Sequence, residues 1–313
     1  MRLLVIGIVL TVLSGSVLVW KSRTEGHESP AQGPERTTHC MVWKATRGKS
    51  VVWLCGSIHL LRENDYPLPE PYRTAFAEAK TVVMELPPGS SSDPAVQKGM
   101  LEAGRPAGGM PLETTVSAGT WKAVEEWSRR SGMSLSTLQP MKPWMAALTI
   151  SVLGYERQGF SVSRGMEAWF TDRMGDRATA GLETAVGQLA LFDHIGLPVQ
   201  EEMILQAIDE EKNAGARIRQ LVESWHEGDA PRLASLMEES MKPFPEVKKL
   251  LLDERNAAWV PEIEKFLEGS ETVMVLVGSG HLAGKGSVVD LLEQKGVTLN
   301  QMQYRTTRKA PAE

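Results

Sequence analysis

The sequence predicts an α/β fold: a mixed sheet core formed by both ends of the globular chain, with a large helical insertion or cap. Three observations predict it. Short apolar runs bounded by turn residues lie near both ends of the globular part. Helix-spaced segments separate them, the alternation of a parallel or mixed sheet. The middle, roughly residues 94–269, is mostly helix-spaced, as in TWKAVEEWSRRSG, MKPWMAALTISVL, EEMILQAIDEEKNAGARIRQLVESWHEG and VPEIEKFLEG.

The first element is an apolar run, Leu3–Trp20, LLVIGIVLTVLSGSVLVW. It matches the roughly 20 residues that a bilayer-spanning helix needs. It reads as a retained signal-anchor or as a cleaved signal peptide, with Ser14, Gly15 and Ser16 as the small residues near a cleavage point. Either reading makes the remainder extracytoplasmic, membrane-anchored or secreted, and periplasmic in a Gram-negative bacterium. Arg2 before the run and Lys21 and Arg23 after it nearly balance, so charge does not fix the orientation. Lys21–His39, polar and lacking large apolar groups, reads as a flexible linker, so the globular part is expected from Cys40.

Within residues 40–304, strands are expected at Met41–Ala45, Val51–Cys55, Thr81–Glu85, Arg177–Leu182, Thr272–Val277 and Val297–Tyr304, with a tail over residues 305–313. Helices are expected at Glu70–Lys80 and at Ser287–Lys295, where Ser287 and Asp290 have capping-box spacing. The stretch CMVWKATRGKSVVWLC reads as two strands around a turn at Arg47-Gly48, which sets Cys40 opposite Cys55. In an exported domain those two cysteines, the only two in the chain, form a cross-strand disulfide or stay as buried thiols. A net charge of -5 offers no basic field for nucleic acid.

The stretch VLVGSGHLAGKGS, Val275–Ser287, imitates a phosphate-binding loop. Its glycines miss both nucleotide spacings by one residue, and Gly286 stands where a magnesium-binding Ser or Thr belongs. No nucleotide is expected, and Lys285 reads as a solvated residue. The stronger pattern is an echo. VVWLCGSIHLL also runs from an apolar strand into Gly-x-x-His, so Gly56…His59 matches Gly278…His281. Glycine lets the chain turn as it leaves a strand, and the histidine then lies over the carboxyl end, where α/β sheets hold ligands. Glu85 ends a third such strand in TVVMELPPG.

His59, Glu85 and His281 are therefore candidate ligands of a divalent metal such as zinc, manganese, cobalt or iron. Three protein ligands leave a place for water, whose pKa a metal lowers. Glu85 and Glu183 are the candidate catalytic carboxylates. Glu183 is a general base, a fourth ligand, or a helix-start carboxylate favoured by the dipole. Arg255 and Asn256, in LLDERNAAW, bind substrate or an oxyanion, or form a buried salt bridge. His194 in a polar turn and His226 at a helix end read as surface residues.

These blocks together, LCGSIHLL, VVMELPP, MKPWMAALTI, GLETAVGQLALFD, LLDERNAAW and VLVGSGHLAG, resemble the TraB/PrgY/GumN family, which includes the Tiki proteins. The resemblance covers Val51 to about Gly284. It implies an α/β core with a helical insert and a metal-dependent peptidase activity on a peptide or protein substrate. It maps the metal or catalytic residues onto His59, Glu85 and His281, with Gly56 and Gly278 as turn glycines. Glu167, in RGMEAWF, departs from the aspartate of many relatives, which weakens any role carried to that position. The leading expectation is an extracytoplasmic metal-dependent hydrolase. The alternatives are a non-catalytic binder of a peptide, haem or glycan, and an accessory protein of polysaccharide assembly.

Overall fold

A computed structural model describes residues 32–211 and 214–308. Six strands form one mixed sheet: β1 Gln32–Arg47, β2 Ser50–Ser57, β3 Thr81–Met84, β4 Ala178–Gly181, β5 Thr272–Gly278 and β6 Thr298–Arg308. Their spatial order is β4-β3-β5-β2-β1-β6. The four strands β4, β3, β5 and β2 run parallel; β1 and β6 continue the sheet antiparallel. The parallel part suits its sequence, because VVM and VMVLV are continuous apolar runs buried under helices.

The topology decides where the site lies. Helix Glu70–Glu78 carries the chain from β2 past one empty place to β3, and β5 later fills that place. The loops after β2, β5 and β3 therefore leave the same edge side by side. Ser57 pairs with Gly278, and Met84 with Leu276. The expected segments are present, with helices at Glu70–Glu78 and Val288–Gln294 and the helical middle broken by β4. Ser287 caps its helix by accepting from Asp290 N, whereas the Asp290 carboxylate reaches Gly286 N.

Three expectations need correction. First, Gln32–His39 is strand rather than linker, and Arg305–Arg308 is strand rather than tail. The two pair with each other, and Arg36 grips Glu227 through both carboxylate oxygens at 2.5 and 2.6 Å. Second, the hairpin loop is Gly48-Lys49, with Gly48 at φ 60, so Arg47 pairs with Ser50 and Val42, not Cys40, faces Cys55. Both cysteines are free and buried, and burial pushes the Cys40 thiol up to about 12. Third, His226 is 3% exposed, against the fully buried Asp65. The helix-spaced stretch EEMILQAIDEEKNAGARIRQLVESWHEG falls in two helices, Leu197–Glu210 and Ala214–Glu227. The Leu3–Trp20 segment lies outside the described residues. Among the described residues, no helix is long and apolar enough to cross a membrane.

Candidate active site

Glycine stands at the exits of β2 and β5, Gly56 and Gly278, because those exits are crowded. A β-carbon on Gly56 would stand 2.8 Å from Ser279 Oγ and 3.1 Å from its Cα. Tyr72 and Trp225 both donate to the Gly56 carbonyl, at 2.6 and 2.8 Å, and fix the turn. His59 then folds back under the sheet edge and is 3% exposed.

Glu167 meets His59 from a different part of the chain. Met166 N donates to the Ile58 carbonyl at 3.1 Å, docking helix Met166–Thr171 against the loop after β2. Gly165 makes that approach possible: a β-carbon there would lie 2.2 Å from the His59 carbonyl oxygen. Glu167, in the first turn, thereby sets Oε1 at 2.9 Å from His59 Nδ1 and also accepts the Ser57 hydroxyl. The His59–Glu167 contact is close but off the line of a hydrogen bond, and neither ring nitrogen of His59 has a hydrogen-bond partner. Burial alone would lower the His59 pKa; the Glu167 carboxylate, with Glu85 behind it, outweighs burial and pushes the value up to about 9. Burial likewise opposes ionisation of Glu167, and His59 and Ser57 hold its pKa below the usual carboxylate value.

On the other side of β5, Arg255 organises a buried polar cluster. Its Nη2 donates to Glu85 Oε2 at 2.7 Å and to Glu183 Oε2 at 2.9 Å, and its Nε donates to Glu183 Oε1 at 2.9 Å. Its Nη1 lies 3.1 Å from His281 Nε2. A guanidinium only donates, so His281 Nε2 accepts and its Nδ1–H donates to Asn256 Oδ1, at 2.7 Å. Burial, with the Arg255 and His59 charges, holds the His281 pKa well below the usual histidine value, so this ring is neutral. Trp259, one turn on from Arg255, packs on His281 with ring centroids 4.4 Å apart and donates to Glu183. Gln188 donates to Glu85 at 3.1 Å, and Gly278 N donates to the other Glu85 oxygen at 2.7 Å.

The three residues expected as metal ligands do converge. A β-carbon built on Gly278 would lie 3.2 Å from His59 Nε2, 3.2 Å from Glu85 Oε1 and 3.6 Å from His281 Cδ2. They do not fit the three-ligand metal site, however. His281 turns a carbon toward the common point, and both its nitrogens are engaged by Arg255 and Asn256. Glu85 already accepts from Arg255, Gln188 and Gly278 N. The guanidinium supplies the positive charge that a metal would bring. Among the described residues, no group of three or more His, Cys, Asp or Glu could hold a metal ion. Glu183 is the bidentate anchor of Arg255, Asn256 orients His281, and Arg255 makes the buried salt bridge.

Beside His59 opens a partly enclosed cavity of about 40 Å³. Ser57, Ile58, His59, Leu60 and the Gly278–Gly280 turn line it from the strand exits, and apolar side chains of the helical cap line the remainder.

A family model described as the TraB/PrgY/gumN family matches residues 41–301. The chain belongs to the TraB/PrgY/gumN family. No curated protein and no solved structure matches it. The first and last of the six blocks that carried the resemblance are the paired Gly-x-x-His motifs, and in this TraB/PrgY/gumN chain they are the exits of the neighbouring parallel strands β2 and β5.

Three members of the site, Ser57, Gln188 and Trp259, escaped sequence reading, and Glu167 was noted only as a departure from the family pattern. Ser57, inside the first Gly-x-x-His, carried no pattern of its own. Gln188 lies within a block already quoted, five residues after Glu183. Arg255, Asn256 and Trp259 share one helix, and the Arg-Trp spacing of four residues marks a single face. Glu167 had one signal, the glycine just before its helix.

Proposed function

We propose that this TraB/PrgY/gumN-family protein hydrolyses carboxyl derivatives, peptide bonds above all, with the His59–Glu167 pair moving the proton. One observation carries the reading: His59 Nε2 is buried at the cavity wall with no hydrogen-bond partner. A buried polar nitrogen left unpaired costs roughly 1–3 kcal/mol, a cost explained by a group that waits for a ligand. In the neutral imidazole the Glu167 charge favours the proton on Nδ1, which leaves the Nε2 lone pair for chemistry. Nε2 takes a proton from water as that water attacks the carbonyl, and the resulting imidazolium, opposite Glu167, returns it to the leaving amine. With a pKa pushed up to about 9, His59 rests as the imidazolium at neutral pH, so the reactive form grows as the pH rises.

The peptide substrate class rests on the family resemblance, and an extracytoplasmic location on the Leu3–Trp20 segment. The Arg255 cluster has the scaffold role of holding Glu85, and through it Gly278, against His59. No step in this reading runs through a metal. The second reading is a binding protein without turnover. The saturated hydrogen bonds of Arg255 favour it, since they leave that cation no capacity to meet a substrate.

Full-length protein incubated with a peptide library, with and without chelator, tests the proposal by mass spectrometry. Cleavage is expected to survive chelation and to fall by about 10²–10⁴-fold in His59→Gln, the range of general acid–base catalysis. Intact peptides after long incubation would favour the binding reading. Activity that needs added metal would restore a metal mechanism.

A further inference from the structure

The cavity beside His59 has chemistry of its own, and its shape narrows the ligand. Its far wall consists of Tyr155 from helix Pro143–Glu156, Ile218 and Leu221 from Ala214–Glu227, and Leu233 and Met237 from Ala230–Met241. All five are buried at less than 9% exposure, although the cavity lies between them. The apolar part of such a cavity favours apolar groups over water. The strand exits line the rest, with the polar Ser57, His59 and Gly278–Gly280 turn and, from the same loop as His59, the apolar Ile58 and Leu60.

We infer that this cavity is a specificity subsite for a compact aliphatic side chain, of alanine to valine size, next to the carbonyl on which His59 acts. The inference rests on the reading of His59 as the reactive group. Size follows from the volume: about 40 Å³ holds roughly three waters, hence about as many carbon atoms. An aromatic ring does not fit without moving a helix of the cap. Polarity follows from the two walls, because one end of the ligand must be apolar and the other must offer an acceptor or donor to His59. A primary carboxamide with a short branched tail has both ends in the right order.

Methyl NMR of the full-length protein tests this with isobutyramide and phenylacetamide as probes. Isobutyramide is expected to shift the Ile218, Leu221, Leu233 and Met237 methyl signals saturably, and phenylacetamide is expected to leave them unmoved. Leu233→Phe fills the cavity and should abolish the isobutyramide shifts. Met237→Phe fills it from another position and serves if the first variant fails to fold. Leu221→Ala enlarges it and should admit phenylacetamide. Equal response to both probes, or isobutyramide shifts that persist in a folded, filled variant, would overturn the subsite. Size-selective binding without peptide cleavage removes the hydrolase and leaves the subsite. Cleavage indifferent to side-chain size removes the subsite and leaves the hydrolase.

Discussion

His59 Nδ1 stands 2.9 Å from Glu167 Oε1, although 108 positions of sequence separate them. Only the docking of helix Met166–Thr171 onto the Ile58 carbonyl brings the two together. The pair therefore reports whether the helical middle is seated on the sheet.

Glu167→Gln should lower the His59 pKa. Glu167, with a smaller push from Glu85, raises it to about 9 against burial, so removing the Glu167 charge leaves burial opposed by Glu85 alone and brings the value down. Nitrogen-detected NMR of the imidazole checks this. A value still near 9 in the variant would assign the shift to some other charge.

Arg255→Met should destabilise strongly. Glu85 is 1% exposed and would lose its cation, and breaking a buried pair from one side costs about 3–5 kcal/mol. Glu183→Gln keeps the Glu85 contact and should cost less. Urea denaturation of both variants gives the ordering, and equal losses would mean that Glu183, not Glu85, dominates the pair.

The glycine variants should separate by what a new β-carbon meets. Gly165→Ala drives a methyl to 2.2 Å from the His59 carbonyl oxygen and should displace helix Met166–Thr171. Gly278→Ala meets His59 Nε2 and Glu85 Oε1 at 3.2 Å each, a milder clash centred on the site. The first should lower the melting temperature more; the second should impair peptide turnover with a smaller change in melting. The reverse order in a thermal melt would contradict the packing described above.

Stability should peak near pH 6.5. His226 is buried, and its folded pKa falls to about 4. The unfolded chain then binds the proton first, so stability is lost as the pH falls from 6.5 toward 4, by up to roughly 3 kcal/mol. His281, also held neutral, acts in the same direction. His59 has the opposite sign: its contribution is complete below 6.5 and is lost as the pH rises through about 9. Melting curves across pH check both limbs. His226→Gln should flatten the acid limb and His59→Gln the alkaline one.

The legible part of the site was the part written in local pattern. An apolar run, a glycine and a histidine three residues on twice marked a strand exit, and those exits are adjacent. Glu85 was legible because a carboxylate in an apolar strand needs a partner. That partner was not legible, since Arg255 arrives 170 residues later on a helix. Without it, two histidines and a carboxylate suggest a metal; with it, Glu85 and His281 join a guanidinium cluster, while His59 faces Glu167. His226 failed for a similar reason. A histidine ending a helix looks solvated until Asp65 and the paired chain ends cover it. The cysteine register failed locally, because moving the two-residue loop by one position moves every partner by two.

The empty place between β2 and β3 has a consequence for synthesis on the ribosome. β2 and β3 emerge early, yet β5, which joins them, is made nearly 200 residues later. Until Thr272–His281 leaves the exit tunnel, His59 and Glu85 have no common neighbour and the apolar flanks of both strands lack a partner. The nascent chain thus carries two unpaired parallel edges through most of its translation, a state prone to aggregation and suited to chaperone binding. The cluster of His59, Glu85 and His281 closes in one late step, when a single strand slides between two that have long been waiting.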